Sequence, residues 1–108
     1  MTQEHKELLL KDLSARFPYN VAIDCRDEDS RFTCYLTTDI LKEIQNNTCY
    51  WNYKPYLFPM SSMTEEQRKE YGLVLCGELS INQYDWLNAH HFDYRGLIPM
   101  GLANDATG

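Results

Sequence analysis

The spacing of apolar residues predicts an amphipathic helix at the start of the chain. Thr2 is a suitable cap, and an apolar stripe at helical spacing follows it, formed by Leu9, Leu10, Leu13 and Phe17. Pro18 ends the predicted helix, because a proline disfavours helical backbone at the residue before it. The stripe is narrow, so we expect this helix to pack with one side against a sheet or another helix.

From Tyr19 the apolar spacing changes to two. Val21, Ile23 and Cys25 alternate with polar positions, which is typical of a half-buried strand. A polar turn at 27–30 follows, and a second alternation then contains Phe32, Cys34 and Leu36. The two alternations and the turn predict an antiparallel hairpin.

The next two segments allow more than one interpretation. Residues 39–47 fit a short helix capped by Asp39, with Ile40 and Ile44 stacked four apart, and they also fit an edge strand. The helix is the favoured interpretation. Residues 49–59 are rich in aromatics and contain Pro55 and Pro59, which predicts an extended ribbon or edge strand.

The second half of the chain contains two helix starts. Thr64 and Gln67 form a capping-box pattern, and Gly72 is expected to end that helix. The apolar run 73–77 is then predicted to be a buried strand joining the hairpin, although its spacing also fits a helix. Ser80 and Gln83 predict a further helix. It carries Ile81, Tyr84, Leu87 and His91 at helical spacing, so one face is apolar and ends at a titratable residue.

These elements predict an α+β fold, in which a small antiparallel sheet packs with the N-terminal helix and a C-terminal helix. A chain of 108 residues is long enough for one core, so a single domain is expected over residues 1–103. The small, polar residues 104–108 are expected to be a disordered tail.

Charge and composition exclude several classes of function. The net charge of -6 disfavours a protein that neutralises nucleic-acid phosphates, so no nucleic-acid partner is expected. No apolar run is long enough to cross a membrane, and the polar N-terminus lacks a secretory pattern, so a cytoplasmic location is expected. The four cysteines contain no Cys-x-x-Cys pair, which indicates reduced thiols and neither a metal site nor a cofactor.

A cluster of chemically versatile residues follows the predicted helix from Ser80. His91 could serve as a base, Asp93 as its orienting carboxylate and Arg95 as an oxyanion partner, which suggests a small hydrolase or transferase. The signal is weak, because no established nucleophile, phosphate-loop or zinc motif accompanies it. In the structural alternative, Trp86 and Phe92 pack inward, Asp93 caps a turn, and Arg95 pairs with a carboxylate or a backbone carbonyl.

Two blocks of the chain resemble a protein family. The blocks are residues 54–67, KPYLFPMSSMTEEQ, and residues 85–98, DWLNAHHFDYRGLI, and the opening ELLLKDL at 7–13 is also similar. They resemble small uncharacterised proteins of anaerobic gut bacteria and of their phages and prophages. The resemblance implies a mobile-element context, with no mechanism attached. Because both blocks occur together in that family, the resemblance also suggests that they pack on each other.

We therefore expect a small cytoplasmic accessory protein of phage or prophage type that binds a protein partner. The aromatic ribbon could be core or a binding surface, with core favoured, and the turn from Phe92 to Ile98 is a second candidate surface. The candidate binding residues are Tyr53, Tyr56, Phe58, Phe92, Tyr94 and Arg95. A third, weaker interpretation is an acidic mimic of nucleic acid, which requires carboxylates along one face.

Overall fold

The computed structural model describes residues 2–47 and 51–107, which form four α-helices beside a small sheet of five strands. The helices are α1 (Gln3–Arg16), α2 (Thr38–Asn46), α3 (Glu65–Leu75) and α4 (Gln83–Ala89). The strands are β1 (Ala22–Arg26), β2 (Arg31–Tyr35), β3 (Asn52–Pro59), β4 (Phe92–Asp93) and β5 (Asn104–Asp105). The predicted α+β class is confirmed, with both the N-terminal helix and a later helix in place.

The sheet is mixed, although the prediction was wholly antiparallel. Strand β1 pairs antiparallel with both β2 and β3, which confirms the hairpin. The two-residue strands β4 and β5 each pair parallel with β3. Parallel pairing requires a crossover connection, and the helices α3 and α4 between β3 and β4 supply it.

The aromatic ribbon is the strand β3, but it does not lie at the sheet edge. Its first half pairs with β1, and its second half pairs with β4 and β5. Tyr53, Pro55 and Leu57 are buried, whereas the alternate residues Lys54, Tyr56 and Phe58 are half-buried or exposed. The ribbon therefore contributes to the core with one face only. Its predicted first residues, Cys49 and Tyr50, lie outside the described residues.

The main core lies between the inward face of the sheet and the helices α1 and α2. Helix α1 contributes Leu9 and Leu13, and α2 contributes Ile40 and Ile44. These side chains belong to one cluster with the inward residues of the sheet, which are Val21, Ile23, Cys25, Tyr53 and Leu57. The period-two pattern of β1 thus identified the inward residues.

A second cluster forms around α3 and α4. It contains Met63, Val74, Trp86, Leu87 and Phe92, and Tyr71 packs against it. The Trp86 and Phe92 rings stack with their centroids 5.8 Å apart. The predicted inward packing of these two residues is confirmed.

Several predicted helix starts agree with the structure. Thr2 caps α1 by accepting a hydrogen bond from the His5 amide, and Thr64 and Gln67 form the reciprocal capping box of α3. Residues 38–46 are helical, as favoured, but Thr37 rather than Asp39 is the cap. The local pattern thus predicted the cap correctly for α1 and α3, but not for α2, where several neighbouring residues can act as caps.

Two predictions in the second half are wrong. Helix α3 continues through Gly72 to Leu75, so residues 73–75 are not a buried strand. A glycine inside a helix costs about 1 kcal/mol, which the packing of Tyr71 and Val74 in the second cluster can outweigh. Helix α4 starts after Asn82, whose side chain caps it, and not at Ser80.

The face of α4 that packs on the core also differs from the predicted one. Ile81 and Tyr84 are exposed, whereas Trp86 and Leu87 are buried. His91 lies beyond the helix, in the left-handed backbone region with φ 59°. The predicted stripe that ends at His91 is therefore not a helix face.

Residues 104–107 have a defined place beside β3, whereas a disordered tail was predicted for 104–108. Asn104 and Asp105 form β5, and the Ala106 amide donates a hydrogen bond to the Leu57 carbonyl over 2.8 Å. These backbone bonds hold the segment on β3. Within the described ranges, none of the helices combines the length and apolarity that crossing a membrane requires.

Candidate functional site

The face of the sheet opposite the core forms a polar and aromatic surface. Strand register places Asp24 opposite both Thr33 and Lys54, and places Tyr35 opposite Ala22 on the same side. We use the name open sheet face for the side chains that surround Asp24 on this side, which are Arg26, Arg31, Tyr35, Lys54 and Tyr56. Three strands supply them, so the surface exists only in the folded sheet.

A buried carboxylate organises this face. Asp24 is 2% exposed, and its Oδ1 accepts a hydrogen bond from Arg31 Nε over 2.9 Å. Its Oδ2 accepts one from the Asn104 amide over 2.8 Å and a longer one from Arg26 over 3.4 Å. Arg31 also donates to the Tyr56 hydroxyl over 3.1 Å, so the carboxylate holds both the arginine and the tyrosine in position.

The ionised form of Asp24 is the stable one. Burial alone would raise the pKa of this carboxyl, but the hydrogen bonds from Arg31 and Asn104 and the nearby arginine charges outweigh burial. The pKa of Asp24 therefore lies below its usual range. Asp24 stays charged and fixes the geometry of the face at neutral pH.

The rim of the open sheet face is accessible and positively charged. The side chains of Arg26 and Arg31 are 52% and 54% exposed, and Tyr35 is 65% exposed. Lys54 and Tyr56 are half-buried. Three cations accompany the one carboxylate of Asp24 on this face, while the carboxylates of the turn at 27–29 lie beyond the strand ends. The face itself therefore carries more positive than negative side chains, although the whole chain has a net charge of -6.

The other predicted ribbon residues have different environments. Tyr53 is a core residue, and its hydroxyl donates a hydrogen bond to Glu43 over 2.6 Å. Phe58 lies where the two sequence blocks meet, since its amide donates to the His91 carbonyl over 2.9 Å and its ring lies 6.2 Å from that of Phe92. The predicted packing of the two blocks is confirmed. A small pocket of about 210 Å³ opens at this contact.

The segment after α4 has a mainly structural arrangement. Phe92 is 2% exposed and stacks on Trp86. Both oxygens of Asp93 accept backbone hydrogen bonds, from the Leu97 amide over 2.8 Å and from the Ile98 amide over 2.9 Å. Asp93 therefore caps the following turn, as the structural alternative predicted.

Arg95 belongs to a network with two residues of α1. Its Nε donates to Asp12 Oδ1 over 3.2 Å, and its Nη2 donates to the Tyr94 hydroxyl over 2.9 Å. Asp12 also accepts two hydrogen bonds from Arg16, the shorter one over 2.8 Å. Asp12 and Arg16 are fully buried, and Arg16 additionally donates to the Phe92 carbonyl. The predicted pairing of Arg95 with a carboxylate is confirmed.

His91 and Asp93 do not form an acid–base pair. Among the described residues, no hydrogen bond joins them. The Asp93 oxygens accept from backbone amides, and the buried His91 Nδ1 makes no hydrogen bond. Burial and the charge of Arg16 lower the pKa of His91, which a hydrogen bond to the Tyr19 backbone only partly opposes. His90 stacks on Trp86, with ring centroids 4.2 Å apart.

The described ranges contain no group of three or more His, Cys, Asp or Glu side chains arranged to hold a metal ion. The Cys25 and Cys34 sulfurs lie 3.1 Å apart as free thiols on adjacent strands. Burial and the neighbouring Cys34 raise the pKa of Cys25 to about 12, so this thiol is neutral at physiological pH.

No protein-family model matches the chain, and no curated protein or solved structure was found to be similar to it.

Sequence reasoning identified Tyr56 but missed its partners on the open sheet face. Asp24 and Arg26 are two of the polar positions that alternate with Val21, Ile23 and Cys25, and this alternation predicted a strand without giving them a role. Arg31 entered no sequence prediction. The available signal was the concentration of charge at the two strand ends. Only the strand register shows that these charges surround one carboxylate.

Proposed function

We propose that the protein acts by binding an acidic segment of a protein partner on the open sheet face. The observation that carries the proposal is the grouping of Arg26, Arg31 and Lys54 with Tyr35 and Tyr56 on one uncovered side of the sheet. Arginine and tyrosine are enriched at protein interfaces, because they combine contact area with directional hydrogen bonding.

The charge distribution supports an acidic partner. The remainder of the chain is strongly negative, so it repels acidic molecules everywhere except at a locally positive surface. Such a contrast orients an encounter, since the partner's carboxylates are attracted to the cations of the open sheet face and repelled by negative surface elsewhere. Arg26 and Arg31 are partly paired with Asp24, which leaves donors of both guanidinium groups for a ligand.

A protein segment fits this face better than a nucleic acid. A nucleic-acid strand carries a charge on every nucleotide and would extend beyond three cations onto negative surface. The screening length is about 8 Å at physiological ionic strength, so a short acidic peptide would avoid most of that repulsion. The proposal thus agrees with the expected absence of a nucleic-acid partner.

The biological setting is proposed from the sequence resemblance alone. The two blocks at 54–67 and 85–98 suggest an accessory protein of a phage or prophage that works in the bacterial cytoplasm. A host protein is then the natural class of partner. The alternatives of a hydrolase and of a nucleic-acid mimic gain no specific observation from the geometry.

Affinity capture with paired variants tests the proposal. The wild-type chain, a Tyr35→Ala/Lys54→Ala variant and a Leu75→Ala/Lys69→Ala control would be used as baits in a lysate of an anaerobic gut bacterium. Each double variant removes one large exposed side chain and one lysine, and the control residues lie on α3, away from the open sheet face. Binding of purified oligo-dT to each bait would be measured in parallel.

The expected result is a partner that the wild type and the control retain and that the Tyr35→Ala/Lys54→Ala variant loses. Higher salt should also release it, because the attraction is largely between exposed charges. Equal capture by all three baits would contradict the proposal. Saturable binding of oligo-dT that depends on Tyr35 and Lys54 would instead assign the face to single-stranded nucleic acid.

A further inference from the structure

A second surface, separate from the open sheet face, lies between α1 and α4. A cleft of about 590 Å³ is lined by Lys11 and Ala15 of α1, by Tyr84 and Asn88 of α4, and by Tyr94 and Arg95. We refer to it as the α1/α4 cleft. Its volume lies within the range of small-molecule sites, which is about 300–1,000 Å³.

The polar groups that line this cleft are mainly hydrogen-bond donors. Asn88 is 4% exposed, and its Oδ1 accepts a hydrogen bond from the Tyr94 hydroxyl over 3.0 Å. This bond leaves the Asn88 amide nitrogen, which makes no hydrogen bond to any described residue, as a donor at the cleft. Arg95 uses Nε and Nη2 in the protein, so Nη1 remains, and the Lys11 ammonium has no ion-pair partner among the described residues.

Positive charge is also in excess beneath the cleft. The guanidinium groups of Arg16 and Arg95 share the single carboxylate of Asp12. Arg16 is fully buried, and its Nη1 has no hydrogen-bond partner. Lys11 adds a third cation at the surface, and Asp12 is the only carboxylate among the described residues that forms an ion pair with any of the three. A buried, incompletely compensated cation strengthens the attraction for an anion nearby, because the local dielectric constant is low.

Two aromatic rings form a wall of the cleft. The Tyr84 and Tyr94 rings have centroids 5.4 Å apart, and Arg95 lies over the Tyr94 ring at 4.8 Å. Tyr84 is 52% exposed, so a ligand can reach its ring. A planar group attached to the anion could pack against this ring.

From this geometry we propose that the α1/α4 cleft binds the carboxylate or phosphate group of a small aromatic molecule. Lys11, Arg95 and Asn88 donate to its oxygens, and Tyr84 contacts its planar part. The inference is independent of the partner-binding function of the open sheet face, since no side chain is shared between the two surfaces.

Nuclear magnetic resonance titration of the full chain tests the inference. Phenyl phosphate and benzoate are the two anionic probes, and phenol is the neutral control of similar shape. Saturable shifts of the Ala15, Asn88 and Tyr94 amides with at least one anion are expected, together with much smaller shifts with phenol. The relative affinity of the two anions shows which oxyanion the cleft prefers.

Two lysine variants show whether the charge in the cleft is responsible. Lys11→Gln should weaken binding of the preferred anion about threefold, as removal of one exposed charge contact does. Lys69 is exposed on α3, so the matched control Lys69→Gln should leave the affinity for the anion unchanged. Both positions are exposed, so the amide spectra should show folded protein in each case.

Three outcomes would overturn the inference. They are the absence of saturable shifts with both anions, equal binding of phenol, and an equal effect of the two lysine variants. Shifts confined to the amides of the open sheet face would likewise place the anion elsewhere.

Discussion

The buried charges beneath the α1/α4 cleft give the most specific stability prediction. Asp12 accepts hydrogen bonds from Arg16 over 2.8 and 3.1 Å and from Arg95 over 3.2 Å. Replacing Asp12 with asparagine keeps the shape of the side chain but removes the only carboxylate that hydrogen-bonds these two guanidinium groups within the described part of the chain. Arg16 would then be a buried cation without a counter-charge.

The expected loss in free energy of unfolding is large. Breaking a buried ion pair from one side costs about 3 to 5 kcal/mol, because the remaining charge is uncompensated. A typical domain is stable by about 5 to 15 kcal/mol, so Asp12→Asn should lower the urea midpoint severely. The control Asp39→Asn removes an exposed carboxylate from the first turn of α2 and should cost at most about 1 kcal/mol.

A double variant separates charge from packing. Asp12→Asn/Arg16→Met removes both buried partners and should be more stable than Asp12→Asn alone, since the unpaired cation has gone. Urea unfolding at neutral pH, followed by circular dichroism, measures all four proteins. A loss for Asp12→Asn no larger than that of Asp39→Asn, or a double variant less stable than the single one, would refute the reasoning.

Three further predictions concern single residues. The lowered pKa of His91 means that the unfolded chain binds a proton below about pH 6.5 before the folded chain does, so stability falls there by up to about 1.4 kcal/mol per pH unit. Urea titrations at several pH values measure the free energy of unfolding. His91→Asn should remove this contribution to its decrease at acid pH, whereas His5→Asn should retain it. Iodoacetamide should modify the exposed Cys76 well before Cys25, which is buried and has a pKa of about 12. Mass spectrometry of the peptides measures the order, and earlier modification of Cys25 would contradict the prediction. Leu57→Ala should cost about 2 to 5 kcal/mol in urea unfolding because this side chain is 0% exposed, and a cost below about 1 kcal/mol would contradict its core position.

Local sequence patterns predicted the elements that local physics determines. The capping box of Thr64 and Gln67 and the alternation of Val21, Ile23 and Cys25 depend on neighbouring residues, and both agree with the structure. The end of α3 was not predictable from Gly72, because the packing of Val74 against the second cluster continues the helix. Ser80 and Asn82 are both good caps, so the local pattern did not distinguish between them, and the structure uses Asn82.

The candidate sites depend on contacts between distant parts of the chain. The hydrogen bond between Arg95 and Asp12 joins residues 83 positions apart, and the bond between Asn104 and Asp24 joins residues 80 apart. Neither pairing has a sequence motif. The sequence therefore indicated single participants, such as Arg95 and Tyr56, but the partners that form each surface required the three-dimensional arrangement.

The central claim is that the open sheet face is the partner-binding surface, and one measurement tests it most directly. Isotope-labelled protein would be titrated with the captured partner, and the affected amides would be mapped by nuclear magnetic resonance. The account predicts that the perturbed amides lie at 31–35 and 52–57, and that those of α3 at 65–75 are unchanged. Perturbations centred on α3, or on the turn at 92–98, with an unaffected sheet would contradict it.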